Sequence, residues 1–396
     1  MSRVFHPVDS EYMADAPLNA RGVITVGDMV VDEQDYYNVL PVIQMFYDYY
    51  QKASKDEDVI QGIAEDDEND DDWTPPTFNE IFEMFVKTQN CDSSTTTSNR
   101  ITSLNVDSGG GQPGEVCDYM DWKVTFLPAS ISLLEHLEYL RFYYADNVRF
   151  LPKNISLLQN LRELEIVYIG LRELPEDLVD LVNLKKLTLR HNIKLRQFPT
   201  KFPPNLEELN MSFGIAFAMT RAIPESVCAL TQLKRLSINF NSLSGIPESF
   251  RNLRNLEAFI DTAMSYRHNT IRYRVPAFVL ELPRLKEIKT DATNLRQFQS
   301  PETYKGSLTL QGMVWPQYDP NDPETTFSLC EWSKVTRLHL DRCPDGAFAH
   351  GHFLSGTFPS LTEIRSVCVE SYSIAEDAAK PGLEMEQLLN PKALEK

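Results

Sequence analysis

The stretch LSINFNSLSGIPESFRNLRNLEAF, Leu236–Phe259, decides the fold. Its apolar residues begin at strand spacing, Leu236 and Ile238, and continue at helical spacing, Phe250, Leu253 and Leu256. Neither a lone strand nor a lone helix has that pattern. A glycine and a proline, Gly245 and Pro247, separate the two halves, so the chain turns between a short strand and a short return segment.

Outward from this stretch the same phrase recurs. Leu-x-x-Leu-x-Leu, or an apolar variant of it, starts at Leu137, Leu161, Leu184, Leu206, Leu233, Leu256 and Leu285, with spacings of 24, 23, 22, 27, 23 and 29 residues. A second landmark keeps phase with the first. It is an apolar residue followed by proline, at Leu127-Pro128, Leu151-Pro152, Leu174-Pro175, Phe198-Pro199, Ile223-Pro224, Ile246-Pro247 and Val275-Pro276. In one repeat neither the strand leucines nor the return-segment leucines can be buried, and stacking neighbours buries both. Proline cannot donate to a strand ladder, which keeps it in the turn.

The phrases LPKNISLLQNLRELEI, LPEDLVDLVNLKKLTL and IPESFRNLRNLEAF resemble leucine-rich repeats, and within that superfamily the intracellular Ras-group and plant-type repeats of roughly 23 residues. The resemblance is specific over residues 125–295. ITSLNV (101–106) resembles a divergent opening repeat, VTRLHLDRC (335–343) and LTEIRS (361–366) closing ones, and SLTL (307–310) a further candidate. It implies an α/β fold: a curved solenoid with a concave parallel sheet. It also implies an asparagine after each strand, matched by Asn192 and Asn241, with Cys343 as the usual substitute; Ala145, Ile169, Gly214, Met264 and Thr293 depart from it.

Two columns on the expected concave side carry functional information. The third strand position reads Tyr139, Glu163, Lys186, Glu208, Arg235, Ala258 and Glu287, so Glu163, Lys186, Glu208 and Arg235 alternate in sign and are expected to pair laterally. The eighth position reads Tyr144, Tyr168, His191, Phe213 and Phe240, then Ala263 and Ala292, with Tyr143 beside the first. By the resemblance this position faces solvent at the concave rim. The rings form either a structural stack between repeats or an anchor strip for a partner. The expected partner-binding residues are Tyr143, Tyr144, Tyr168, His191, Phe213, Phe240, Arg190 and Arg235.

Residues 1–76 read as a separate N-terminal region. YYNVLPVIQMFYDYY places Tyr36, Val39, Leu40, Ile43, Phe46 and Tyr50 on one face of a helix over about 36–52, which either binds a partner or folds back on the solenoid end. EDDENDDD (65–72) reads as a disordered acidic linker without the glycine and ligand spacing of a calcium loop. Residues 1–30 and 55–74 are expected to be unprotected. Thr77 and Glu80 open a capping-box helix over 77–88, expected to be the N-terminal cap of a solenoid spanning 77–370. GGGQPG (109–114) reads as a flexible insertion and 371–396 as a polar tail.

The chain has 396 residues, a net charge of −19 and a hydrophobic content of 42%, enough for a large core. That charge disfavours nucleic acid or an anionic membrane as the main partner and permits a basic protein surface. The N-terminus is too acidic for a secretion signal, which points to a cytoplasmic protein, expected to be monomeric. Six scattered cysteines form no C-x-x-C pair, and the sequons at Asn154 and Asn210 carry no meaning in a cytoplasmic chain. Phosphate-binding glycine motifs, H-E-x-x-H and G-x-S-x-G are absent, and His350, His352 and Cys343 read as surface residues and not as a metal site. No cofactor, metal or catalysis is expected. The reading is a non-enzymatic scaffold in signalling that binds a protein partner on its concave face. A substrate-recognition subunit of a ubiquitin ligase or an immune-type recognition protein is the alternative.

Overall fold

The computed structural model describes residues 23–53, 77–88, 99–107, 127–145, 148–152, 154–212, 222–238, 245–261, 274–290, 295, 297–311, 332–341, 360 and 362–367. The Leu-x-x-Leu-x-Leu segments form the strands β5 (Tyr139–Ala145), β6 (Glu163–Ile169), β7 (Lys186–Thr188), β8 (Glu208–Asn210), β9 (Arg235–Ser237), β10 (Ala258–Asp261) and β11 (Glu287–Thr290). ITSLNV supplies β4 (Ile101–Asp107), SLTL β12 (Ser307–Gln311), VTRLHL β13 (Arg337–Asp341) and LTEIRS β14 (Glu363–Val367). All lie in one sheet in chain order, parallel from β4 to β14. Register matches repeat phase: Tyr139, Glu163, Lys186, Glu208, Arg235, Ala258 and Glu287 stand side by side.

The core fills from both sides of each turn. Leu161, Leu164 and Ile166 from β6 and its approach meet Ile155 and Leu158 from the preceding 3-10 turn, all fully buried. Each such leucine or isoleucine contributes about 1.5–3 kcal/mol. The prolines precede these turns: Pro128, Pro175 and Pro247 sit in extended conformation immediately before 3-10 segments, Pro224 and Pro276 before single helical turns. Beside them run isolated parallel bridges, Glu173 to Gln197, Ala222 to Gly245 and Val275 to Phe298. The missing proline N–H stops this thin second ladder from widening into a sheet.

The N-terminal cap is larger than the sequence suggests. Helix α2 (Phe78–Phe85) has the expected capping box, with Thr77 and Glu80 bonded reciprocally. It ends at Phe85, however, and Val86–Thr88 form β3, antiparallel to β4. Helix α1 (Glu33–Ala53) packs on α2, Phe46 edge-on to Phe85 at 4.8 Å and Tyr36 against Phe82 at 5.8 Å. Asp32 caps α1, its Oδ1 accepting from the backbone N–H groups of Gln34 and Asp35. Asp35, fully buried, accepts both Arg100 Nε at 2.9 Å and Arg100 Nη2 at 2.8 Å, and also the Ile101 N–H. Of the two roles open to this helix, the geometry is that of the folded-back one.

Residues 23–32 correct the expectation that everything up to residue 30 is unprotected. They form a hairpin, β1 (Val23–Val26) with β2 (Met29–Asp32), turning at Gly27 with φ of 56°, and Val26 and Val31 join the core. The two β-rich runs around Gly27-Asp28 are the hairpin signal that the neighbouring acids obscured. The acidic run 65–72, the glycine insertion 109–114, His350, His352, Cys343, Asn241 and the tail from 371 lie outside the described residues.

Candidate interaction surface

Alternation along β5 sets Tyr139, Arg141 and Tyr143 on the open face of the sheet, opposite the buried Leu140 and Phe142. Neighbouring β6 contributes Glu163 and Glu165, and β7 contributes Lys186. These groups are bonded to one another. Lys186 Nζ bonds Glu163 and reaches Glu165 Oε1 at 3.1 Å; Tyr139 donates its hydroxyl to Glu165 Oε2 at 3.1 Å; the Arg141 guanidinium lies 4.4 Å from the Tyr143 ring centroid. Burial alone would raise the Glu165 carboxyl, but the Lys186 bond and charge, then Tyr139 and Arg141, hold it below its usual range. Burial and the Glu165 charge push the Tyr139 phenol up to about 12.

A row of rings borders this cluster where the strands end. Tyr168 stacks on His191, centroids 3.9 Å apart and planes 9° from parallel, and Tyr143 meets Tyr168 edge-on at 5.9 Å. Tyr143, Tyr168 and His191 are all half-buried. The backbone is unusual here: Tyr168 has φ of 53° and His191 of 58°, the left-handed region that side-chain-bearing residues seldom occupy. Each is tied to the next repeat, Tyr168 N–H to the Arg190 carbonyl and His191 N–H to the Ser212 carbonyl, both at 3.1 Å. Buried Asn192 braces the same bend, donating from Nδ2 to the carbonyls of Ile166 (2.8 Å) and Arg190 (3.2 Å). Burial, with the adjacent Arg190 charge, pulls the His191 imidazole down to about 4, so it is neutral at pH 7.

The structure therefore brings Tyr143, Tyr168 and His191 together, with Arg190 beside them. The ring that meets Tyr168 is that of Tyr143, the seventh-position residue. Tyr144 lies in β5, and Phe213 and Phe240 lie outside the described residues. Arg235 stands three strands from β6 in register and does not join the row. Tyr139, Arg141 and Glu165 were missed as members of the site. The alternation in YLRFYY could have identified the β5 pair.

The expected lateral pairing of the third-position column needs correction. Glu163 and Lys186 pair, but Lys186 also leans to Glu165 on the same side, away from β8. Arg235 crosses Ala258 to reach Glu287 at 3.7 Å, because alanine leaves the path open. Among the described residues, the exposed Glu208 carboxylate has neither ion pair nor hydrogen bond, while its backbone N–H donates to the Lys185 carbonyl at 2.9 Å. The more continuous alternation runs one position earlier, on the rim: Glu138 with Arg162 (3.4 Å), Glu207 between Lys185 (3.0 Å) and Lys234 (2.6 Å), Glu257 with Lys286 (2.8 Å). Bonds from Lys234 and then Lys185 lower the Glu207 carboxyl.

A second missed column is structural. Asn160, Asn183, Asn205 and Asn255 each precede a repeat's first leucine, and each donates its amide to a carbonyl of the previous repeat, those of Glu135, Gln159, Val182 and Thr231, at 2.7–2.9 Å. The recurring Asn-Leu pair was its signal. Among the described residues there is no group of three or more His, Cys, Asp or Glu placed to hold a metal ion, and no helix long and apolar enough to cross a membrane.

No protein-family model matches the sequence, and no curated protein matches it. Solved structures do. A leucine-rich repeat protein of Leptospira interrogans is 21% identical over 62% of this chain and 64% of its own length, with a TM-score of 0.36. The leucine-rich repeat domain of the type III effector XopL is 17% identical over 83% of this chain and 95% of that domain, with a TM-score of 0.44. A leucine-rich repeat protein of Bacteroides eggerthii is 12% identical over 90% of this chain and 73% of its own, with a TM-score of 0.42. The two landmarks in phase, the unbroken parallel ladder from β4 to β14 and the leucine core make this chain a leucine-rich repeat solenoid.

Proposed function

We propose that the chain is a non-enzymatic recognition scaffold in signalling that binds a protein partner on the open face of its sheet, anchored by Tyr143, Tyr168 and His191. Solenoids of this kind present such faces as extended binding surfaces. The observation that carries the reading is the half-buried ring row held on left-handed backbone at Tyr168 and His191. Strain of this sort is retained where the surroundings enforce it, and it clusters at functional sites. The stack also removes side-chain freedom before a partner arrives, which lowers the entropy cost of binding. Arg190 borders the row, and Arg141 and Lys186 with their carboxylates form a polar margin beside the rings.

The test is quantitative affinity capture with the full chain and two variants. Tyr143→Ala with Tyr168→Ala should lose at least about tenfold of a specific partner's recovery. Arg162→Ala, which opens only an exposed rim pair, should retain it. Equal recovery with all three proteins would refute the assignment.

A further inference from the structure

We infer that the open face takes a basic protein segment, with an arginine or lysine seated on Glu208 and an apolar side chain against the Tyr168–His191 stack about five extended residues away. This rests on the reading of the open face as the binding surface and adds what that surface binds. Along the third-position column from β6 to β11, Glu163 and Lys186 are paired, Arg235 and Glu287 are paired, and Ala258 is uncharged. Glu208 is the exception among the described residues. Its two register neighbours are the cations Lys186 and Arg235, and both turn to other carboxylates. A carboxylate flanked by two neutralised cations is the uncompensated charge of this part of the face, and a cationic side chain is its complement.

Charge at longer range favours the same partner. At −19 the chain attracts a basic segment and repels an acidic one before contact. The spacing follows from register. Glu208 stands beside Lys186, and His191 is five residues on from Lys186 along the same repeat, a separation of at most roughly 16 Å because the chain bends after β7. Between the two anchors Asn210 is half-buried over a buried neutral layer of Thr188 and the Ser212–Ser237 hydroxyl pair at 2.9 Å, and Arg190 stands at the edge of the rings. A peptide laid along β7 and β8 would meet an acid at Glu208, then neutral Asn210, and then the rings with Arg190 at their edge, where an apolar side chain and not a second cation fits.

Selection of short random peptides displayed on phage, with the full chain immobilised, tests this directly. The expected consensus is a lysine or arginine four to six residues from an aromatic or large aliphatic residue. A synthetic peptide of that consensus should bind E208K at least about tenfold more weakly, and its glutamate-substituted counterpart should recover on E208K to within about threefold. Tyr168→Ala should weaken the same peptide through its apolar residue. Peptides sensitive to Tyr168→Ala but indifferent to E208K would overturn the basic partner and leave the open-face reading standing. Peptides indifferent to both, an acidic consensus, or no enrichment at all would count against both.

Discussion

Tyr168 separates two energies that are usually entangled, because its ring is stacked while its backbone is strained. Replacing it with alanine removes the parallel contact with His191 and the edge contact with Tyr143, each worth about 0.5–1.5 kcal/mol. Loss of half-buried apolar surface adds roughly 1 kcal/mol. Alanine leaves a Cβ at φ of 53°, so the strain stays. Glycine loses the same contacts but relieves the left-handed penalty of about 1–2 kcal/mol, offset by about 0.5–1 kcal/mol for the freer unfolded chain. The alanine variant should therefore lose about 2–4 kcal/mol, and the glycine variant should be more stable than the alanine by about 0.5–1 kcal/mol. Urea unfolding followed by circular dichroism would resolve that gap as a midpoint difference of about 0.3 M. A glycine variant less stable than the alanine would refute the claim that strain is held at this position.

The other expectations concern titration, the cap and the asparagines. His191 is held at about 4 against an unfolded value near 6.5, so the unfolded chain takes up the proton first as pH falls; stability is full above about 6.5 and declines toward 4. With solvent screening allowed for, the loss between pH 7 and pH 5 should be about 1 kcal/mol, and His191→Phe should reduce that slope by the same amount in paired urea titrations. Arg100→Met leaves Asp35 buried and uncompensated, which should cost about 3–5 kcal/mol and raise hydrogen exchange across α1, with Asp35→Leu added to it restoring protection. Unchanged exchange in the single variant would show that the ion pair does not hold the cap. Asn192→Ala removes the amide's two bonds at a buried bend, one to the Ile166 carbonyl and one to an Arg190 carbonyl that keeps the Tyr168 N–H, and should cost about 1–3 kcal/mol, whereas Asn183→Ala, at an exposed turn, should cost under about 1 kcal/mol. Equal losses by thermal melting would contradict that ranking.

What could be read without coordinates was whatever the stacking of repeats constrains. Leu161, Leu164 and Ile166 are fixed by burial on every side, so their period survives divergent spacing, and even SLTL at Ser307–Gln311 takes its place in the sheet. The turn past the strand is different. Alternation predicts which residues of β5 share a face, but positive φ interrupts it at Tyr168, near the end of β6, and at His191, past the end of β7; histidine tolerates that region better than most residues, whereas nothing in YIG announces it at the tyrosine. Gly170 stands two residues beyond Tyr168, not at the left-handed position itself. Charge pairing was the least legible of all. Alternating signs at Glu163, Lys186, Glu208 and Arg235 suggested a closed ladder, yet exposed pairs are worth about 1 kcal/mol or less, so one competing acid at Glu165 and one small residue at Ala258 suffice to redirect Lys186 and Arg235. The same weakness gives Glu208 its significance. Near-equal alternatives let the column settle with one carboxylate left over, and a partner's cation can occupy it without first breaking a bond within the chain.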